Sequence, residues 1–186
     1  MSKKATRAEN QQERLIKIGW IVGFVDGEGC FSLGFVKQSD KKEEHRTRKG
    51  YKTGYQVSYE FAVTQGESSL QSLQTLKDSF GVGALYPNIR YDNHKENLYR
   101  YVVRKREDII RVIIPFFQKY PLRTAKRKNF ELFVKGMEEV EKGNHLNTRG
   151  IIRIAQICQR MNHKRDKTEL IRILRNQTSD KRRKDA

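Results

Sequence analysis

The sequence has 186 residues, which is long enough for one domain with a sizeable hydrophobic core. It contains 39 Lys and Arg residues against 22 Asp and Glu residues, and its formal net charge is +17. A positive excess of this size predicts a polyanionic partner, and nucleic acid is the usual one. The longest apolar stretches, such as residues 109–117, are interrupted by charge and far shorter than the about 20 residues of a membrane span. We therefore expect no membrane partner.

The N-terminal segment and the cysteines indicate an intracellular protein. Residues 1–9 predict a basic, flexible arm, and residues 1–14 contain no apolar segment that resembles a secretion signal. Cys30 and Cys158 lie far apart without His or Cys neighbours, so they form neither a zinc pattern nor a disulfide framework. We expect a non-secreted protein, and the sequence does not distinguish a bacterial cytoplasm from an organelle matrix.

The first predicted helix carries the most informative segment, residues 20–29 (WIVGFVDGEG). Its apolar positions follow a helical period, and we expect the helix to end among the glycines that flank its two acids. Gly19, Gly23 and Gly27 are spaced by four and share one face, which lets another helix approach closely. Two such helices would bring their C-terminal acids together, where a hard divalent cation could be shared. The alternative is a buried helix that ends in an ordinary Asp-Gly turn.

Two strands follow this helix in the prediction. Residues 31–36 alternate between bulky apolar and mostly smaller residues, and residues 56–63 alternate more clearly between polar and apolar ones. This period of two predicts strands with one buried face. The highly charged stretch between them, residues 37–52, predicts a solvated hairpin loop.

The middle of the chain repeats the helix and strand pattern. Residues 67–80 have leucines at helical spacing and stop at Gly81, a favoured helix end. Residues 84–91 and 98–103 predict a third and a fourth strand around a turn at residues 92–93.

The last third of the sequence predicts helices. Residues 106–120 are apolar and helical, with a kink or break at Pro115. Residues 123–142 predict an amphipathic helix, and two shorter helices follow over 148–161 and 167–174.

This element order, α-ββ-α-ββ-α-α and then further helices, predicts a mixed α+β fold with four antiparallel strands and helices on one face. We expect a single domain over residues 10–176, with a core at about 15–142 and C-terminal helices over 147–176. A basic tail, residues 177–186, follows.

The strand faces opposite the apolar ones are polar and capable of hydrogen bonding, as reading of base edges requires. A merely solvated sheet face would have a similar composition. The register of the third and fourth strands is not determined by the sequence, so Arg100 can lie on either face. The candidate DNA-binding residues are Ser32, Gly34, Gln56, Ser58, Glu60, Tyr86, Asn88, Arg90 and Arg100.

Residues 21–29 (IVGFVDGEG) resemble the signature of the LAGLIDADG homing endonucleases. Companion segments at 61–65 (FAVTQ), 80–83 (FGVG), 115–122 and 150–162 resemble family members in the same order. The resemblance therefore extends over most of the chain.

The resemblance implies an αββαββα core whose four-stranded antiparallel sheet forms a DNA-binding saddle, with helices on its opposite face. Family members with one signature act as homodimers that pair their signature helices. For this chain it implies a homodimer with Gly19, Val22, Gly23 and Asp26 at the interface, and a long pseudo-palindromic double-stranded DNA target.

The resemblance also implies a metal-dependent DNA endonuclease that hydrolyses one phosphodiester in each strand with Mg²⁺ or Mn²⁺. Glu28 occupies the position of the family's metal-binding acid, and the backbone carbonyl of Gly27 would lie beside the same metal. A carboxylate suits this role because magnesium prefers oxygen ligands and keeps several waters. Asp26 is interpreted mainly as a structural acid at the helix end, with direct metal contact as the alternative.

Two further catalytic residues follow from the resemblance. Gln65 matches a position that orders water around the scissile phosphate, and a plain strand-end polar residue is the alternative. Lys126 is our choice for the basic residue that stabilises charge at the phosphate. Its neighbours Arg123, Arg127 and Lys128 remain alternatives, and each of them can instead contact the DNA backbone.

Two other functions fit the same family resemblance, namely an RNA maturase that assists intron splicing and a non-cleaving DNA-binding regulator. Glu28 and Gln65 favour the nuclease over the regulator, because an acid that faces phosphate weakens binding unless it serves chemistry. No feature of the sequence excludes a maturase that binds intron RNA. A mobile intron is the home that the resemblance implies.

Overall fold

The fold alternates helices with strands of one main sheet. The computed structural model describes residues 7–38, 41–43, 46–48, 50–51, 53–89, 96–161 and 167–184. The elements are α1 (Arg7–Glu28), β1 (Gly29–Lys37), β2 (Lys41–Glu43), β3 (Arg46–Arg48), β4 (Tyr55–Gly66), α2 (Leu70–Phe80), β5 (Ala84–Asn88), β6 (Leu98–Val103), α3 (Arg106–Asp108), α4 (Ile114–Lys119), α5 (Lys126–Glu141), α6 (Thr148–Met161) and α7 (Thr168–Lys184).

The main sheet has the strand order β1-β4-β6-β5, and its strands are antiparallel. This confirms the predicted mixed α+β fold with a four-stranded antiparallel sheet. The charged stretch after β1 does contain a hairpin, because β2 pairs with β3 in a separate two-stranded sheet. The turn predicted at residues 92–93 lies outside the described residues.

The strand register determines which face Arg100 occupies. Arg100 lies opposite Thr64 of β4 and opposite Tyr86 of β5. Residues directly opposite each other in an antiparallel pair share a face, so Arg100 and Tyr86 lie on the same side of the sheet. The buried Tyr101 and Val103 lie on the other side.

Three helix boundaries differ from the prediction. α1 begins at Arg7 rather than after residue 9, because residues 7–14 are mostly good helix formers despite their polarity. α7 continues to Lys184 instead of ending at residue 174, because Lys and Arg also favour helix although they carry no apolar periodicity. The predicted basic tail is therefore helical up to that residue. α5 begins at Lys126, three residues late, because the preceding amides bind a side chain of α1.

The other helix ends follow local chemistry. α2 ends at Gly81, which has the positive φ of 68° that glycine adopts without strain. The predicted disturbance at Pro115 is a π-helical turn over Ile109–Ile113 between α3 and α4. Proline has no N–H and its ring crowds the preceding turn, which favours such a local widening.

The chain divides into two compact units whose segments interleave. The first unit comprises Met1–Cys30 and Glu60–Arg127, and its core includes an aromatic cluster. In that cluster Phe61 contacts Phe80, Tyr101 and Phe117 at ring-centroid distances of 5.8–6.1 Å, mostly edge-on or tilted. The buried Tyr101 hydroxyl donates a hydrogen bond to the Val82 carbonyl over 2.8 Å, so its polar end is satisfied.

The second unit comprises Phe31–Tyr59 and Lys128–Ala186, and it has its own core. Phe31 of β1 packs against Phe130 and Phe133 of α5. A further cluster joins β4 to α5, α6 and α7 and consists of Val57, Val140, Ile151, Ile154, Cys158 and Leu174. The extent of the single domain predicted over residues 10–176 stays a prediction. Among the described residues, no helix is both long enough and apolar enough to cross a membrane.

Candidate active site at the end of α1

The last two turns of α1 present two different sides. Ile21, Val25 and Asp26 are buried, whereas Gly23 and Gly27 are exposed. Apart from the local backbone of the helix itself, no heavy atom of the described residues lies within 4 Å of the position that a Cβ atom would take at Gly19, Gly23 or Gly27. The buried side holds the helix in its unit, and the glycine side is open.

The carboxylate of Asp26 is bonded within its own chain. It accepts hydrogen bonds from the Arg123 amide over 2.7 Å, from the Thr124 amide over 3.1 Å and from the Thr124 hydroxyl over 2.7 Å. Burial by itself would raise the pKa of Asp26, but these hydrogen bonds outweigh it and lower the pKa below the ordinary value of 3.8. Asp26 therefore fixes the segment before α5, and both of its oxygens are used there.

Lys126 completes the arrangement in the opposite direction. Its ammonium donates hydrogen bonds to the carbonyl of Val25 over 3.0 Å and to the carbonyl of Gly27 over 2.8 Å. These carbonyls belong to the last turn of α1, where intrahelical partners are missing and the helix dipole favours a cation. Burial lowers the pKa of Lys126, and the acids Asp26 and Glu28 oppose this effect. The side chain of Asp26 in α1 thus binds the backbone before α5, and the side chain of Lys126 in α5 binds the backbone at the end of α1.

Glu28 stands two residues beyond Asp26 in a contrasting environment. It is exposed, and its carboxylate makes no hydrogen bond or ion pair within the described part of the chain. The two acids of the motif therefore differ, because the Asp26 carboxylate is hydrogen-bonded within its own chain and the exposed Glu28 carboxylate is accessible to a ligand.

The donor atoms at this end of α1 fit a magnesium ion. Glu28 offers an open carboxylate, and the Gly27 carbonyl keeps a second lone pair beside its bond from Lys126. Magnesium is commonly bound by only one or two carboxylates and retains several waters. No group of three His, Cys, Asp or Glu side chains that could hold a metal occurs among the described residues. The Glu28 carboxylate and the Gly27 carbonyl are the atoms at this helix end that would hold such an ion.

The other predicted catalytic residues are placed differently. Gln65 is half-buried near the end of β4, opposite Tyr99 of β6, and no hydrogen bond from it to α1 is found among the described residues. Arg123, Arg127 and Lys128 are exposed. The ammonium of Lys126 is directed at the end of α1, and this favours Lys126 among the four basic alternatives.

Some predicted DNA-binding residues lie on β1 and β4 in the second unit. The Gln56 amide oxygen accepts a hydrogen bond from Gln38 over 3.0 Å, and Ser58 is exposed beside it on the same strand face. A Cβ atom at Gly34 would lie 2.9 Å from the Ser58 hydroxyl oxygen, so glycine keeps the two strands close there. Ser32 is half-buried on β1.

The other described candidates belong to the first unit, where Glu60, Arg100 and Tyr86 form a charged network with Arg104. Glu60 pairs with Arg100 over 2.7 Å and with Arg104 over 2.9 Å, and the Arg104 guanidinium lies 5.8 Å from the centroid of the Tyr86 ring. Asn88 is exposed at the end of β5. The predicted residue Arg90 lies outside the described residues.

Sequence reasoning missed Arg104, because it follows the predicted end of the fourth strand. Continuing the alternation of that strand by two residues beyond Val102 would have placed Arg104 on the same face as Arg100. The alternation was therefore the available signal.

Comparison with known proteins agrees with the motif and the fold. Residues 21–137 match the model of a family described as LAGLIDADG endonuclease. The chain is 32% identical over 125 residues to the probable intron-encoded endonuclease Cox1-I1b of Schizosaccharomyces pombe. The matched segment covers 67% of this chain and 28% of that protein. It spans only about a quarter of the first curated relatives that it matches, at 25% and 28% of their lengths.

Solved structures give the same picture. The homing endonuclease I-TnaI matches with a TM-score of 0.65 and 32% identity, over 88% of this chain and 96% of that one. I-SmaMI, bound to an uncleaved DNA target in the presence of calcium ions, matches with a TM-score of 0.64 and 31% identity, over 78% of this chain and 45% of that one.

Proposed function

This chain belongs to the LAGLIDADG endonuclease family, and we propose that it is a site-specific homing endonuclease that cuts both strands of a long, pseudo-palindromic DNA target as a homodimer. The observation that carries the proposal is the end of α1, where the open Glu28 carboxylate follows the Gly27 carbonyl that the Lys126 ammonium contacts over 2.8 Å. An acid and a cation held beside each other suit the hydrolysis of a phosphodiester.

Each residue of this end has a distinct role in the proposal. Glu28 is the protein ligand of Mg²⁺ or Mn²⁺, and the Gly27 carbonyl is a secondary ligand because it also binds the ammonium. A divalent cation supplies charge stabilisation at the phosphate and makes water more acidic. Lys126 is held by two carbonyls and stabilises the negative charge that develops on the phosphate. Gln65 orients water through its amide.

The homodimer is supported by the open side of α1. Gly19, Gly23 and Gly27 have no neighbours among the described residues that would explain their lack of side chains, and a second helix can approach such a strip closely. Val22 is half-buried beside this strip. Pairing around a twofold axis would bring two Glu28 carboxylates to one region.

The polar sheet face is the proposed DNA-binding surface. On β4 the exposed Gln56 and Ser58 flank the buried Val57, as expected for a strand with one polar face, and a net charge of +17 favours association with DNA. I-SmaMI, a structural neighbour, is described as bound to DNA, which supports the same partner for this chain.

The test is a binding and cutting selection on a randomised pool of DNA duplexes. Duplexes are captured in calcium and then exposed to magnesium, with Glu28→Gln in parallel. We expect the wild type to capture and cut a recurring pseudo-palindromic site, and Glu28→Gln to capture the same site without cutting it. Loss of capture by Glu28→Gln together with loss of cutting would argue against its catalytic role.

The same selection separates the other functions. Specific capture without any cutting by the wild type would indicate a DNA-binding regulator. Weak capture of every duplex, with strong binding to a structured intron RNA, would indicate a maturase.

A further inference from the structure

We propose that Arg104 reads a guanine in the target and that Glu60 and Tyr86 hold it in the reading orientation. This inference rests on the proposed function, because it concerns how the sheet recognises its DNA. Arg104 directly follows β6 and lies two residues beyond Val102, so strand alternation places it on the face of Arg100 and Tyr86.

The hydrogen bonds leave the two arginines with different free groups. Arg104 donates to Glu60 Oε2 through Nε over 2.9 Å, and its two terminal nitrogens make no hydrogen bond within the described residues. Arg100 donates to Glu60 Oε1 through a terminal nitrogen over 2.7 Å. The Arg104 side chain is 57% exposed and that of Arg100 is 34% exposed. Arg104 is therefore the arginine that can present a paired donor edge to a base.

The network also limits the movement of Arg104. Its guanidinium lies 5.8 Å from the Tyr86 ring centroid, within the range of a cation–π contact. Burial by itself would raise the pKa of Glu60, but hydrogen bonds from Arg100 and Arg104 lower it, so the carboxylate stays ionised at neutral pH. An arginine that is already ordered loses less conformational entropy when it binds.

The neighbouring carboxylate favours a base over a phosphate. A phosphate that approached Arg104 would also approach the Glu60 carboxylate 2.9 Å from Nε, and the two anions would repel each other. The O6 and N7 atoms of guanine form a neutral pair of acceptors that matches the two terminal nitrogens of arginine. Arg104 is therefore a specificity-determining residue, and Glu60 is a positioning residue.

The experiment measures base preference at each position by calcium-dependent capture from a randomised duplex pool. The wild type is compared with Arg104→Ala, Arg104→Lys, Glu60→Gln and the control Lys105→Ala, which removes an exposed neighbouring charge. We expect the wild type to prefer guanine at one position in each half-site. Both Arg104 variants lose this preference by roughly ten- to hundredfold, the discrimination that a bidentate pair provides. Lysine fails because it keeps the charge but lacks the fork of donors.

The matched variants separate the possible outcomes. Glu60→Gln should weaken the guanine preference while the preferences at other positions persist, and Lys105→Ala should leave the whole pattern intact. If Arg104→Lys keeps the pattern while Arg104→Ala weakens capture of all sequences equally, Arg104 contacts a phosphate and the inference is wrong. An unchanged pattern in Arg104→Ala also overturns it. If the wild type selects no recurring DNA site, the proposed function itself has failed.

Discussion

The two sides of α1 differ in what determines their residues. On the inner side Ile21 is 3% exposed and Val25 is fully buried, and both are explained by the core of their unit. On the outer side Gly19, Gly23 and Gly27 contact nothing within the described chain that would require glycine. Glycine in a helix costs about 0.5–1 kcal/mol relative to alanine, so three of them destabilise α1, and no contact among the described residues offsets this cost. The outer side is therefore best explained by a partner.

Gly29 shows what an intrachain requirement looks like. A Cβ atom there would lie 2.5 Å from Val25 Cγ1 and 2.7 Å from the Val25 carbonyl oxygen. Contacts this short do not occur in folded proteins without a shift of the backbone. Glycines of one short motif thus differ, because Gly29 is needed for the turn into β1, whereas Gly23 would be needed only for the partner helix of the proposed dimer.

The variant Gly23→Leu tests this difference with the largest expected effect. A Cβ atom at this position would have open space around it among the described residues, and leucine favours helix over glycine, so the folded protomer should be at least as stable as the wild type. It would keep the two signature helices of the proposed dimer apart. We expect a monomer in sedimentation equilibrium and no cleavage of the selected site.

Two smaller substitutions serve as the matched pair. Gly23→Ala should weaken the dimer only in part, whereas Gly29→Ala should lower the free energy of unfolding because of its contact with Val25. An unchanged dimer mass for Gly23→Leu would refute the assignment of the glycine side to the interface.

The variant Lys126→Met tests whether the ammonium of Lys126, which binds the carbonyls at the end of α1, takes part in DNA cleavage. We expect single-turnover cleavage to fall by roughly 10²–10³-fold, the effect of removing one preorganised donor. Calcium-dependent binding should change only a few-fold, because one charge among many contributes little to affinity. Lys128→Met removes a nearby exposed charge and should cleave almost normally. Equal losses for both variants would assign Lys126 to general phosphate attraction.

The sequence predicted the elements whose signals are local. β6 runs over Leu98–Val103 as its alternation indicated, and α1 ends at Glu28 among the glycines that mark the stop. These features depend on neighbouring residues, which the sequence displays directly.

The features that the sequence did not predict depend on contacts between distant residues. α5 starts late because Arg123 and Thr124 donate their amides to Asp26, which lies 97 and 98 positions earlier. The Glu60 network needed the register of β4 against β6, which no local pattern determines. The hydrogen bonds between Asp26 and the segment before α5, and between Lys126 and the end of α1, could not be predicted from the sequence for the same reason.

The variant Asp26→Asn sharpens the contrast between the two acids of the motif and has the smallest expected effect. An asparagine amide in place of one carboxylate oxygen would face donors from Arg123 and Thr124 and lose charge-assisted hydrogen bonds. We expect the free energy of unfolding in urea to fall by roughly 2–3 kcal/mol at a fixed protein concentration. Glu28→Gln is the matched control, and it should change stability by less than about 0.5 kcal/mol because that carboxylate has no partner in the described chain. Equal stability of the two variants would mean that the inner and outer sides of this helix end do not differ as the hydrogen bonds indicate.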